Sequence, residues 1–187
     1  MEIFEGRITS AGFDSGHRLV IGDWMKSPLG KFTNVMWARP DGSRVLLSPS
    51  IEHANYVSEL YNFEEVKIVE MRIKRSRKGL DIRTEEMSVR MTWGASFAIP
   101  IWRPLWFIST IEAIFARLFF GTKTFGITRN GRREWYSVRS ISRLLTAEAE
   151  MGGESLGNKG RFISTACFGF SEPPSIPTSI GLKTYIE

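Results

Sequence analysis

The chain has 187 residues, 42% apolar and 24% charged, enough to bury a core without metal or disulfide staples and far from a disordered composition. Its one cysteine, Cys167, excludes an internal disulfide framework and any cysteine-rich zinc site. A formal charge of +5 spread over this length makes only a weak case for an anionic partner such as nucleic acid.

Nothing in the opening MEIFEGRITS resembles a basic region followed by an apolar secretory segment, so one cytoplasmic domain spanning 1–187 is expected. Short apolar runs with a period of two, divided by turn residues, predict a mostly β fold. The architecture expected is an antiparallel β-barrel or strongly curved sheet with two helices. Residues 17–24 make a strand, Ser27 to Gly30 a turn, and 32–47 a hairpin whose Pro40, Asp41 and Gly42 suit a type I turn closed by a left-handed glycine. Ser48 can then cap a helix with Pro49 in its first turn. Ile51, Ala54, Val57, Leu60 and Tyr61 recur at helical spacing, and the helix should end near Asn62.

Residues 69–93 show the clearest two-faced pattern. Val69, Met71 and Ile73 alternate with charges, as do Met87, Val89, Met91 and Trp93. Leu80 and Ile82 hold even positions, whereas the apolar set from Met87 onward is odd. The parity slip near Thr84 to Glu86 predicts a β-bulge that would bend the sheet toward closure.

The run PLWFISTIEAIFARLFFG, 104–121, is the most apolar stretch. Arg103, Glu112 and Arg117 cut it too short to span a bilayer, so it predicts no transmembrane segment. At 100° per residue, Phe107, Ile108, Ile111, Ile114, Phe115, Leu118 and Phe119 fill one continuous arc. Pro104 and Gly121 mark the boundaries of a helix with a wide dry face that packs on or plugs the sheet. That face is covered either by core side chains or by a ligand held in the leftover interior of a barrel. Attachment to a membrane surface wants more basic residues than Arg103 and Arg117.

Farther on, Asn130 and Gly131 centre a hairpin over 123–139, and a two-residue loop would put Trp135 opposite Gly126. Residues 145–151 alternate as a strand, 152–160 form a loop, 161–170 a strand, 171–177 an extended proline-rich connection, and 181–187 a last strand.

Aromatic residues at 12%, with six Trp and thirteen Phe, call for a ring-rich core or a pocket. The leading functional expectation is a barrel-like protein that binds a small apolar or amphipathic anionic ligand. Glu112, Arg129, Arg132, Arg133, Trp135 and Tyr136 are its candidate binding residues. Such a site requires a pocket of about 300 Å³ or more. For the arginines the plain alternative is a charged loop, and for Glu112 a solvent-margin carboxylate paired with Arg103 or Arg117.

An enzyme using Glu112 or His17 as acid or base is a second reading. Asp14, Ser15 and His17 are close in sequence, but triads are assembled across a fold rather than along it. His53 suits a solvated helix surface. The third reading is a basic surface for nucleic acid or protein, built on Arg72, Lys74, Arg75, Arg77 and Lys78. These basic residues have no interleaved aromatic and read more simply as a solvated hairpin tip, so nucleic acid is disfavoured. Two histidines and one cysteine supply no metal-ligand spacing. GGESLGNKG lacks the Gly-Lys-Ser/Thr ending of a phosphate loop, so neither metal nor cofactor is expected.

Overall fold

A computed structural model of the protein describes residues 1–99, 108, 123–161 and 167–187. Among these are thirteen strands and one helix: β1 (Glu2–Phe13), β2 (Arg18–Lys26), β3 (Phe32–Ala38), β4 (Arg44–Ser48), α1 (Ile51–Leu60), β5 (Glu65–Ile68), β6 (Arg72–Ser76), β7 (Gly79–Arg83), β8 (Met87–Ala98), β9 (Phe125–Ile127), β10 (Arg133–Met151), β11 (Glu154–Ser155), β12 (Lys159–Gly160) and β13 (Thr178–Ile186). The second expected helix, over 104–121, lies outside the described residues except for Ile108, which is buried.

All thirteen strands belong to one sheet, whose main path runs β5-β4-β3-β2-β1-β13-β10-β8-β7-β6. Every pairing is antiparallel except β4 with β5, where α1 supplies the crossover that a parallel pair requires. The sheet is strongly curled yet open: no ladder joins β5 to β6, so the closed barrel is corrected to a curled sheet with a seam. Three residues, 69–71, connect these two edge strands, which holds the ends of the path close together.

Alternation sends odd-numbered residues of β1 to β4 into the curl. Leu19, Ile21, Val35 and Val45 meet Leu80, Ile82, Val89, Met91 and Leu144 there in one cluster. Arg75 of β6, exposed at the mouth of the curl, reaches across to β2. Its Nη2 and Nε donate to both carboxylate oxygens of Asp23 on β2, at 2.7 to 3.1 Å, and Thr33 donates to the same carboxylate at 2.6 Å. The opposite face of β1 to β4 packs Phe4, Phe32 and Leu46 against Ala54, Val57 and Leu60 of α1.

Several expectations hold in detail. Gly30, Gly42 and Gly131 take positive φ at the three anticipated turns. Leu80 and Ile82, and the odd residues from Met87 to Trp93, are buried as their alternation required. Residues 145–151 form part of the 19-residue β10.

Other expectations are corrected. The helix cap is Ser50, not Ser48: Ser50 Oγ accepts from the His53 amide at 3.4 Å, and Pro49 precedes the cap. The parity slip at Thr84 to Glu86 is not a bulge but the turn between β7 and β8, with the Thr84 amide donating to the Met87 carbonyl, so 69–93 contains three strands. The bulges lie instead at Glu5/Gly6 of β1 and at three points between Val138 and Thr146 of β10. Cys167 to Phe170 is not strand, and 162–166 lie outside the described residues. The first strand went unanticipated because both its faces are covered, which erases simple alternation. Among the described residues, no helix is long and apolar enough to cross a membrane.

The run from Arg72 to Lys78 is largely exposed, as expected of a hairpin tip, but Arg75 reaches from it to Asp23, which is only 8% exposed. Arg75→Ala leaves that carboxylate with Thr33 but without its guanidinium, and is expected to lower stability by roughly 1–2 kcal/mol in urea unfolding.

Candidate functional site

On the face opposite the curl's core, even-numbered residues of β1, β2, β3 and β13 stand beneath α1 and the 168–174 segment. They enclose a mostly apolar cavity of about 110 Å³. Gly22 is required here because a Cβ would lie 2.7 Å from Asn34 Oδ1 and 2.8 Å from Trp24 Nε1, which are hydrogen-bonded to each other at 3.2 Å. One wall is pinned by a buried ion pair. Arg18, fully buried, donates to Glu172 at 2.5 Å, and the other oxygen of Glu172 accepts from the Phe168 amide at 2.6 Å.

The polar end of the cavity comes from β10. Glu134, 1% exposed, accepts from the Tyr61 hydroxyl at 2.8 and 3.1 Å, and the Tyr61 and Tyr136 hydroxyls are 2.9 Å apart. Glu134 and Tyr136 share a face because they are two apart on a strand, and Tyr61 comes from just past the end of α1. Phe170 stacks on Tyr136 with centroids 5.7 Å apart. Its ring lies over Gly126, where a Cβ would meet Phe170 at 2.1 Å.

Burial in these apolar surroundings pushes the Glu134 carboxyl up to about 7, outweighing the hydrogen bonds from the tyrosines and the charge of Arg132. Burial, and then the Glu134 charge, likewise hold both tyrosine hydroxyls well above their ordinary value. Three groups in a row can therefore carry a proton. With Glu134 ionised, hydroxyl protons point toward it; with Glu134 protonated, it can donate to Tyr61 and free the chain to donate onward. Beside them, the buried Thr184 hydroxyl, paired across strands with Tyr136, makes no hydrogen bond to a described residue.

The candidate residues read from sequence do not assemble as one site. Tyr136 lines the cavity, and Glu112 lies outside the described residues. Arg129 is exposed and donates to the Ser58 carbonyl near the end of α1; Arg132 pairs with Glu2 at 2.5 Å; Arg133 pairs with Glu187 at 2.7 Å. Trp135 is buried beside Phe125 and does not line the cavity. The hairpin closes through three residues, with the Thr128 amide donating to the Arg132 carbonyl. Glu134, not Trp135, therefore faces Gly126. Glu134 was hidden among the charges of that turn. Its one sequence signal is a carboxylate two residues from a tyrosine on an otherwise apolar face.

His17 is engaged elsewhere. Its Nδ1 accepts from Trp37 Nε1 at 2.9 Å, burial lowers its pKa, and Asp14 instead binds Asn158, so no triad forms. The basic run of β6 is partly neutralised by Asp23 and Glu70. Among the described residues, no three His, Cys, Asp or Glu converge as metal ligands. A larger groove of about 820 Å³ lies at the seam, lined by Trp37, Leu47, Met87 and Met151. Its rim carries both charge signs, and the Lys67–Glu86 pair at 3.0 Å is among the lining residues, whereas the smaller cavity holds the carboxyl poised near neutrality.

Because Glu134 binds its proton more tightly folded, at about 7 against an ordinary 4.5, folded stability falls as pH rises across that window. Glu134→Gln removes the decline. Urea unfolding at pH 4.5 and pH 8 should show the unsubstituted protein losing about 3 kcal/mol relative to the variant.

No family model matches the sequence, and no curated protein matches it. Among solved structures the fold is similar to that of an acetoacetate decarboxylase, 11% identical, with a TM-score of 0.50 over 99% of this chain and 86% of the other. The acetoacetate decarboxylase of Legionella pneumophila subsp. pneumophila str. Philadelphia 1 also matches, at 12% identity and a TM-score of 0.42, over 99% of this chain and 81% of that one. At such identities the likeness to the first concerns the fold.

Proposed function

We propose that the cavity receives a small, mainly apolar carbonyl compound and that Glu134 moves a proton on it. The observation that carries this reading is a fully buried carboxyl, poised at about 7, whose hydrogen bonds come from tyrosine hydroxyls in an apolar cavity. At about 110 Å³ the space is smaller than the roughly 150 Å³ that admits benzene and than the pocket of about 300 Å³ required for the small apolar or amphipathic anion expected from sequence, so the reading narrows to a very small, mainly apolar molecule. A carboxylate at the polar end also disfavours an anion there.

In the proposed step the Glu134 carboxylate takes a proton from the carbon next to the carbonyl. The electron pair of that C–H bond moves onto the carbonyl oxygen as an enolate, which accepts hydrogen bonds from Tyr136 or Thr184, and return of the proton completes the cycle. The fold neighbour is named for a small keto acid, which makes compounds of that size the first to test. Decarboxylation through an imine would need a desolvated lysine, and no lysine of this chain is buried; Lys123, which lines the cavity, is exposed.

The test is deuterium exchange into small ketones in heavy water, followed by nuclear magnetic resonance. Exchange should rise as pH passes through about 7, and Glu134→Gln should slow it at least ~100-fold. Equal rates for variant and unsubstituted protein would overturn the reading.

A further inference from the structure

The two covers of the cavity are held in different ways. α1 is fixed by apolar packing, with Ala54, Val57 and Leu60 set against Phe4, Phe32 and Leu46. The segment from Phe168 to Pro174 has neither strand nor helix. Among the described residues, its one backbone-to-backbone hydrogen bond to the rest of the chain runs from the Asn62 amide to the Phe168 carbonyl, at 2.8 Å. Side chains make the remaining ties. Asn62 Nδ2 donates to the same carbonyl at 3.2 Å, Ser171 Oγ exchanges hydrogen bonds with the backbone of Lys123 at 2.6 and 3.2 Å, and Glu172 meets Arg18.

Among the described residues, that last contact is the one ion pair joining the segment to the sheet. One oxygen of Glu172 takes the guanidinium of Arg18, and the other takes the Phe168 amide four residues back, at 2.6 Å. The carboxylate therefore clasps the segment into a closed turn and ties that turn to β2. A buried pair of this kind is a poor source of stability compared with apolar packing, and its best-attested use is to select one arrangement.

The arrangement selected here presses on the proton-carrying row. Phe170 stacks on Tyr136, and Gly169 lies so close to Tyr61 that a Cβ there would meet its ring at 2.7 Å. Both tyrosine hydroxyls belong to the hydrogen-bonded row that ends on Glu134. Of the ionisable groups around this carboxyl, Tyr61 follows α1, Tyr136 lies on β10, Arg132 precedes β10, Lys123 precedes β9, and Glu172 comes from the segment itself.

We propose that residues 168–174 are the lid of the cavity, latched by the Arg18–Glu172 pair, and that Glu172 is a positioning residue: by holding Gly169 and Phe170 on the two tyrosines it keeps water from Glu134. This role for Glu172 rests on the role proposed for Glu134, yet it can be tested with no ketone present.

Two variants of the full chain separate the latch from the charge. Glu172→Gln removes the charge, whereas Glu172→Asp keeps it but is one methylene too short to span Arg18 and the Phe168 amide together. Nuclear magnetic resonance reads amide hydrogen exchange at Asn62 and the carbon-13 titration of the Glu134 carboxyl. Asn62 should exchange at least ~10-fold faster in each variant, with amides at the centre of β1 unchanged. The Glu134 midpoint, at about 7 in the unsubstituted protein, should fall by about one pH unit or more in each, because an open lid returns the carboxyl to water. Unchanged exchange at Asn62 overturns the proposal, and so does a midpoint unmoved in Glu172→Asp, the result that a mere change of field dictates. Both effects present without exchange into ketones would strike the reaction and leave the lid standing.

Discussion

Everything in this fold depends on one constraint of connectivity: the two edge strands of the sheet, β5 and β6, are consecutive in the chain and joined by three residues. A sheet of ten strands along its main path cannot lie flat when its edges are tied so closely, so it curls until one face becomes an interior. That interior is closed by side chains rather than by a ladder. Residues of β2 and β3 meet residues of β7 and β8 in one cluster, and the Arg75–Asp23 pair ties β6 to β2 at its mouth. The pair is bidentate and supported by Thr33, with Asp23 its buried member and Arg75 at the mouth of the curl.

Curling also decides what happens on the outer face. There α1 and the segment held by Arg18 and Glu172 lie over β1 to β3 and the ends of β10 and β13, so side chains that would have met water on an open sheet are buried. Most of them are apolar. Glu134 differs from the other polar groups there: its surroundings give it only tyrosine hydroxyls, whose dipoles do less for a negative charge than the guanidinium that Arg18 gives Glu172. Arg132 is close in sequence, but its guanidinium turns to Glu2 instead. A carboxyl held near neutrality in this way costs stability, and such a cost is commonly associated with function rather than with folding.

The same alternation sorts the polar side chains of the sheet between its two faces. Along β1, Phe4 and Ile8 line the cavity while Arg7 looks to the other side; along β13, Thr184 faces the cavity while Ser179 faces Arg7. One sheet therefore carries Glu134 among tyrosine hydroxyls on one face and Arg7, with no described carboxylate paired to it, on the other. Backbone separates them, so neither neutralises the other.

The sequence by itself determined much of the local structure. The face of each residue from Met87 to Trp93 was legible because strand periodicity is a property of the backbone, and the turns at Gly30, Gly42 and Gly131 because positive φ selects glycine. The mostly β class followed from those runs and turns. Tertiary structure alone decided the rest. The one-residue difference in the 128–132 turn exchanged Trp135 for Glu134 opposite Gly126, and the basic run of β6 sent Arg75 across to a carboxylate 52 positions away. Glu134 looked like one more charge beside an exposed turn, because its poise depends on Tyr61, 73 positions earlier in the chain, and on the ring of Phe170. Periodicity is written along a chain, whereas a pKa depends on whatever the fold brings near it.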